Sequence, residues 1–270
     1  MELGTQQFFQ DPPPRKDFWL LFKVSSYERL RQMQAGCLYM NSLDYFSNLK
    51  DEESIALRVD ELEKVYGILR AGKNSEGYAT LSIKIGESDV ETDLGPAAIL
   101  RADFPQPKNI MLFCMGALSE NEDAVITGEV DGMLTFDPRF LEFGTHVLFI
   151  TSATEFGRRI NIALAKERNA FRSPFIHEGF GLINYKELDN YSGALGLFTK
   201  DVKYVWQREF RISFGVENAG LNSMGAYEFQ IGDISDISHI CPVQAMIDNP
   251  ITIKRRNFKK TDTGYEQVTD

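Results

Sequence analysis

Histidine and cysteine are scarce in this 270-residue chain, with three of each. His146, His177 and His239 form no HxH or HxxxH pair, and Cys37, Cys114 and Cys241 lie far apart with no CxxC spacing. That pattern argues against a histidine-built metal centre, a zinc site and a disulfide framework, and no metal is expected. The cysteines read as buried thiols in a reducing compartment. No apolar run approaches the roughly 20 residues needed to span a bilayer. The N-terminal stretch MELGTQQFFQDPPPRK lacks a basic region followed by an apolar one, so a cytoplasmic protein without a membrane partner is expected. Missing as well are a GxxxxGK[ST] loop, a GxGxxG after a strand and a GxSxG elbow, the usual signatures of P-loop, Rossmann and hydrolase sites. An enzymatic site here would be built from carboxylates, amides, hydroxyls and aromatics.

Positive charge is also short. The 29 basic against 39 acidic side chains leave a net charge of -10, a field that repels phosphate backbones and anionic membranes. The one basic run, IKRRNFKK (253–260), leads into a polar stretch, 261–270, without apolar periodicity. It reads as a solvated terminus or an electrostatic docking tail. Aromatic residues, by contrast, are plentiful. Twenty Phe and ten Tyr, within 43% hydrophobic residues, suit sheet-rich packing around a sizeable core.

Punctuation along the chain predicts an α+β fold. DFWLLFKV reads as a strand and SSYERLRQMQAG as a helix, with Ser25 and Glu28 at capping-box spacing and Gly36 at its end. CLYMNSLDYFSN follows as a strand running into a turn. Helical spacing of Ile55, Val59, Leu62, Tyr66 and Leu69 predicts an amphipathic helix or broken helix across ESIALRVDELEKVYGILR. GYATLSIKIG, NIMLFCMGALSE, THVLFIT, AYEFQIG and ISHICPVQ read as strands. SATEFGRRINIALAKER reads as a second capped helix, Ser152 to Glu155, with Phe156, Ile160 and Ala163 on its core face. The turn-rich NAFRSPFIHEGFG suits a loop over a cleft. The expected organisation is a lead-in over 1–17, one α+β domain over 18–252 with mixed or antiparallel sheets and flanking helices, and a tail over 253–270.

The most informative stretch is FTKDVKYVWQREFRISF (198–214). Read as one strand, it presents Gln207, Glu209 and Arg211 on one face and Phe210, Ile212 and Phe214 on the other. Gln207 and Glu209 then stand roughly 6.5 to 7 Å apart. Such a pair can hold a sugar hydroxyl, stabilise developing positive charge and orient a nucleophile. A salt-bridge ladder on an exposed sheet is the competing reading.

The ordered blocks LFKV, LYMNSLDYFSNLKDEE, GALSENED, LINYKE and LFTKDVKYVWQREFRI resemble a widespread bacterial family of unassigned function. That family has an aromatic-Lys strand, an Asn-Asp-Pro-like turn and a closing Glu-aromatic-Arg-Ile strand. Here the turn reads Ser47-Asn48-Leu49-Lys50, without Asp-Pro. The closing strand also resembles the last motif of the ADP-ribosyltransferase superfamily, with Gln207-Arg208-Glu209 in place. Lys23 stands where that superfamily has His or Arg; lysine can contact a phosphate or ribose but is not interchangeable with arginine in bidentate recognition.

The resemblance implies a split-sheet cleft that takes NAD as substrate for a glycosyltransferase-type reaction. Glu209 and Gln207 would be catalytic. Lys23, Tyr39, Ser42, Tyr45 and Phe46 would hold NAD, and Arg208 and Arg211 the acceptor. It also implies a macromolecular acceptor, protein, RNA or DNA, and a bacterial toxin or anti-phage role with a neutralising antitoxin partner. The alternative is a non-catalytic module of a defence or toxin-antitoxin system that binds a nucleotide or protein.

Overall fold

The computed structural model describes residues 20–48, 62–74, 77–87, 90–119, 126, 129–130, 133–171, 179–252, 257–261 and 264–268. It opens on strand β1 (Leu20–Ser25), helix α1 (Tyr27–Gln34) and strand β2 (Cys37–Ser42), in the order the sequence predicts. The helix cap lies one residue later than predicted. Ser25 is still paired in β1, opposite His146, so Ser26 Oγ accepts the Arg29 N–H instead. Gly36, at φ 104°, ends the turn, and a Cβ there would lie 2.3 Å from the Gly232 carbonyl oxygen, so the position requires glycine. A short helix α2 (Leu43–Ser47) follows directly.

The helix or broken helix expected across ESIALRVDELEKVYGILR is corrected over its last six residues only. Residues 49–61 lie outside the described residues, and from Val65 the chain is a strand, β3 (Val65–Arg70). β3 pairs with Ile99–Asp103 on one edge and Gly193–Ala194 on the other. Val65 and Ile68 favour a pleated surface, and Gly67 disfavours a helix and lets the Gly193 carbonyl approach.

The elements that frame the core and the cavity are β4 (Ile110–Leu118), β5 (His146–Ile150), α3 (Ala153–Lys166), β6 (Ala170–Phe171), β7 (Phe180–Leu182), β8 (Asn184–Lys186), β9 (Thr199–Asp201), β10 (Glu209–Val216), β11 (Tyr227–Gln230), β12 (Ser238–Pro242) and α4 (Val243–Asp248). As predicted, Ser152 caps α3 by accepting the Glu155 N–H, and Phe156 and Ile160 are buried, together with Leu164. Most of the loop predicted to cover the cleft, 172–178, lies outside the described residues, and its flanks are β6 and β7, both paired with β10. In the C-terminal stretch, Asn257–Thr261 and Gly264–Val268 form an antiparallel hairpin.

These elements make an α+β single domain. Among the described residues, nine strands form one antiparallel sheet in the order β6-β10-β4-β1-β5-β12, with β7 also on β10, and β2 on β4 carrying β11 outside it. β4 holds the key to the architecture. One edge pairs with β10 from Ile110 to Gly116. On its other edge, Gly116–Leu118 pair with β1, whereas Met111 and Leu112 pair with β2. Between them, Phe113, Cys114 and Met115 have no strand on that edge among the described residues. β1 and β2 diverge there, so the sheet forks and opens the expected cleft.

One face of the sheet packs Leu21, Phe113, Met115, Phe210, Ile212 and Phe214 against α1 and α3. On the opposite face, Phe22 and Val24 pack with Phe136, Phe140 and Val147, and Leu112 with Leu43, Phe104 and Phe198. Gly116 sits beneath Phe22, where a Cβ would lie 2.1 Å from the ring.

Candidate functional site

The stretch 198–214 is not one strand. Asp201 Oδ1 accepts the Lys203 N–H and starts a 3-10 helix, Val202–Gln207. The Arg208 N–H donates to the Val205 carbonyl, and Arg208 takes the left-handed conformation at φ 47° before β10 begins at Glu209. The capped turn overrides the alternation, so the strand spacing of Gln207 and Glu209 does not apply. The turn instead folds β9 back onto the start of β10. Lys200 Nζ donates to Glu209 Oε2 at 2.6 Å and to Gln207 Oε1 at 3.2 Å.

Glu209 is the hub of a buried ion cluster. Its Oε1 accepts from Arg211 Nε at 2.5 Å, and its own N–H donates to the Tyr185 hydroxyl at 2.8 Å. Arg211 Nη1 donates to the Leu197 carbonyl at 2.6 Å and lies 2.5 Å from Glu63 Oε1, in the turn leading into β3. That second approach is an ion pair between two buried side chains. Two cations thus face two carboxylates. The competing reading of an exposed salt-bridge ladder is overturned, since Glu209 is 5% and Arg211 2% exposed.

Burial opposes ionisation of Glu209, but Arg211 and Lys200 outweigh it and hold the carboxyl well below the usual range. Lys200 shows the mirror image: burial lowers its pKa, and Glu209 more than restores it, so it stays charged. Burial, then the Glu209 charge, push the Tyr185 hydroxyl and the Cys114 thiol each up to about 12. Cys114 is therefore a thiol rather than a thiolate nucleophile near neutral pH.

Lys23 reaches across the fork. Its Nζ donates to the Cys114 carbonyl at 2.5 Å, on the edge of β4 left without a strand, and lies 5.0 Å from the centre of the Phe113 ring. A cavity of about 610 Å³ opens at this fork. Lys23, Tyr39, Tyr45, Phe46, Gln207, Glu209 and Arg211 all line it, so residues from opposite ends of the chain share one space. Tyr39 and Tyr45 are 45% and 44% exposed, leaving ring surface at the cavity.

Two predicted residues are placed elsewhere. Ser42 Oγ is occupied as the cap of α2, accepting the Tyr45 N–H, and does not line the cavity. Arg208, turned by its left-handed backbone, also falls outside the lining.

Sequence reasoning missed Lys200, Glu63 and Tyr185. A single-strand reading gives Lys200 no reason to meet Glu209, and Glu63 was assigned to a helix. The only available signal was DVK after Lys200, an Asp cap able to start a turn.

Among the described residues lining the cavity, four cations, Lys23, Arg29, Lys200 and Arg211, stand against two carboxylates, Glu63 and Glu209. In a chain of net charge -10, this local excess favours an anionic ligand. Among the described residues no group of three or more His, Cys, Asp or Glu could hold a metal ion, and no helix is long and apolar enough to cross a membrane. No protein-family profile, curated protein or solved structure matches the chain.

Proposed function

We propose that the protein is an NAD-consuming ADP-ribosyltransferase that modifies a macromolecule, with the sheet fork as its NAD site. The observation that carries this reading is the juxtaposition, in one cavity, of an ionised buried carboxylate, a cationic excess and exposed aromatic rings. Cations suit a pyrophosphate, and Tyr39 and Tyr45 offer faces for planar rings.

In this mechanism Glu209 accepts a hydrogen bond from a hydroxyl of the nicotinamide ribose. Each of its oxygens spends one lone pair on a cation and keeps another. The bond from the ribose anomeric carbon to nicotinamide breaks, the electron pair leaves with the ring, and the fixed negative charge stabilises the oxocarbenium-like transition state. The acceptor nucleophile then bonds to that carbon and loses a proton. Gln207, held by Lys200, orients the acceptor. Arg211 serves as internal counter-ion to Glu209 rather than as an acceptor contact. The acidic surface favours a protein acceptor over a nucleic acid, and a toxin or anti-phage role with a cytoplasmic neutralising partner fits the same chemistry.

A second reading has its own support. Both Glu209 oxygens are already paired and the four charges balance, as in a scaffold of a non-catalytic nucleotide- or protein-binding module. Incubation with NAD labelled in its adenylate part, against protein, RNA and DNA acceptors, separates the two. Transfer of label by the wild type and its loss in folded Glu209→Gln is the expected result. Absence of both transfer and NAD cleavage across the panel rules out the enzyme, and equal activity in the variant removes Glu209 from the mechanism.

A further inference from the structure

The charges that line the cavity sort by the face of the sheet on which they stand. Glu209 and Arg211 alternate along β10 with Phe210 and Ile212, which belong to the core beneath α1 and α3, so the ion cluster lies on the opposite face. Lys200, Arg211, Glu63 and Glu209 all belong to that cluster, where two cations and two carboxylates cancel. The positive excess of the lining is therefore the pair that remains, Lys23 and Arg29.

Both stand on the α1 face. Lys23 alternates in β1 with Phe22 and Val24, which pack on the far side, and its ammonium lies over the ring of Phe113, a member of the α1-side core. Arg29 and Gln32, a turn apart on α1, line the cavity beside Leu30 and Met33. The Arg29 guanidinium has no hydrogen-bond or ion-pair partner among the described residues. No described carboxylate lines the cavity on this face.

The cavity touches both faces of the sheet. Phe113 and Met115 line it from the α1 side and Leu112 and Cys114 from the other, and the passage between them is the strandless edge of β4. The exposed rings stand with the ion cluster: Tyr39 alternates with Leu38 and Met40 of the α1-side core, and Tyr45 abuts Phe46, which packs on the far face. A ligand with a planar ring and a sugar beside Glu209 reaches uncompensated cations only by passing through the sheet.

We propose that the α1 face of the fork is a phosphate subsite, in which Arg29, with Lys23, binds the pyrophosphate of a nucleotide whose ribose lies across the sheet at Glu209. This rests on the nucleotide part of the proposed function and not on the transfer reaction. The guanidinium presents a planar fork of donors that matches phosphate oxygens, and the ammonium stands in the passage itself. Glu209 remains the group at the bond that breaks.

Binding of NAD and of ADP-ribose to the full chain is measured by calorimetry, at low and at raised salt, for the wild type, Arg29→Ala, Arg29→Lys and Arg101→Ala. Alanine is the best helix former, so Arg29→Ala leaves α1 folded. Arg101, exposed on Ile99–Asp103 and outside the lining, controls for the loss of a positive charge elsewhere. Arg29→Ala should bind both probes about tenfold more weakly, the range for a hydrogen bond to a charged group, and with a shallower salt dependence. Arg29→Lys should fall between it and the wild type, and Arg101→Ala should match the wild type. In crystals with ADP-ribose, a phosphate should lie within hydrogen-bond distance of Arg29. Unchanged binding in Arg29→Ala, an equal loss in Arg101→Ala, or both phosphates seated on the Lys200 side overturns the inference. ADP-ribose binding that depends on Arg29, without NAD cleavage, upholds the subsite and removes the transferase. Cleavage of NAD indifferent to Arg29 does the reverse, and no binding of either probe to the wild type ends both.

Discussion

The two faces of β10 are built on opposite principles. All eight residues from Glu209 to Val216 are buried. One face sends Phe210, Ile212 and Phe214 into a core where Phe214 meets Phe229 edge-on at 5.1 Å and Phe210 lies 6.0 Å from Phe180. The other face buries Glu209, Arg211 and Ser213. The apolar face is stabilised by area and packing, which tolerate small shifts. On the polar face each charge depends on a specific partner, because an unpaired buried ion is far more costly than an exposed one. Alternation along a strand therefore marks a change in chemistry, not always a boundary with water.

Substitutions on the two faces should separate stability from binding. Arg211→Ala strips Glu209 and Glu63 of their shared cation and should cost about 3–5 kcal/mol in denaturant unfolding, with loss of ligand binding. Phe214→Ala should cost a similar amount, about 3–5 kcal/mol, yet leave ligand affinity of the folded fraction unchanged. Equal effects of the two on affinity would erase the distinction between the faces. Gly116→Ala forces a methyl into the Phe22 ring and should cost about 1–3 kcal/mol, read as a lower Tm.

The pH dependence follows from the depressed carboxyl of Glu209. Its stabilisation is fully present above the unfolded glutamate value of about 4.3 and is lost as the pH falls from there towards its lower folded value. Glu209→Gln should flatten this acid limb in unfolding curves measured down the pH scale. Smallest of all, Ser26→Ala removes the α1 cap and should cost about 1 kcal/mol without altering the cavity.

Much of the fold was legible because local signals agreed with one another. Strand, helix and strand in the first fifty residues, the Ser152 cap and the core face of α3 all rest on short-range patterns. Lys23, Tyr39 and Glu209 were named from separate blocks, and the fork gathers them into one cavity. Other features depend on contacts distant in sequence. Val65–Arg70 carries helical spacing but is held as strand by Ile99–Asp103 and Gly193–Ala194. Lys200 reaches Glu209 only because Asp201 starts a turn, and Glu63 reaches Arg211 only because β3 is placed beside it. A hydroxyl that caps a helix, as Ser42 does, looks in sequence like one that binds a ligand.

The most direct test of the claim that the polar face of β10 floors an NAD site is a crystal structure of the wild type with carba-NAD, which resists cleavage of the nicotinamide bond. The account predicts the ligand in the fork between β1 and β2, with the nicotinamide-side sugar hydroxyls within hydrogen-bond distance of Glu209. A fork left empty at saturating ligand, or a ligand bound away from Glu209, would contradict it.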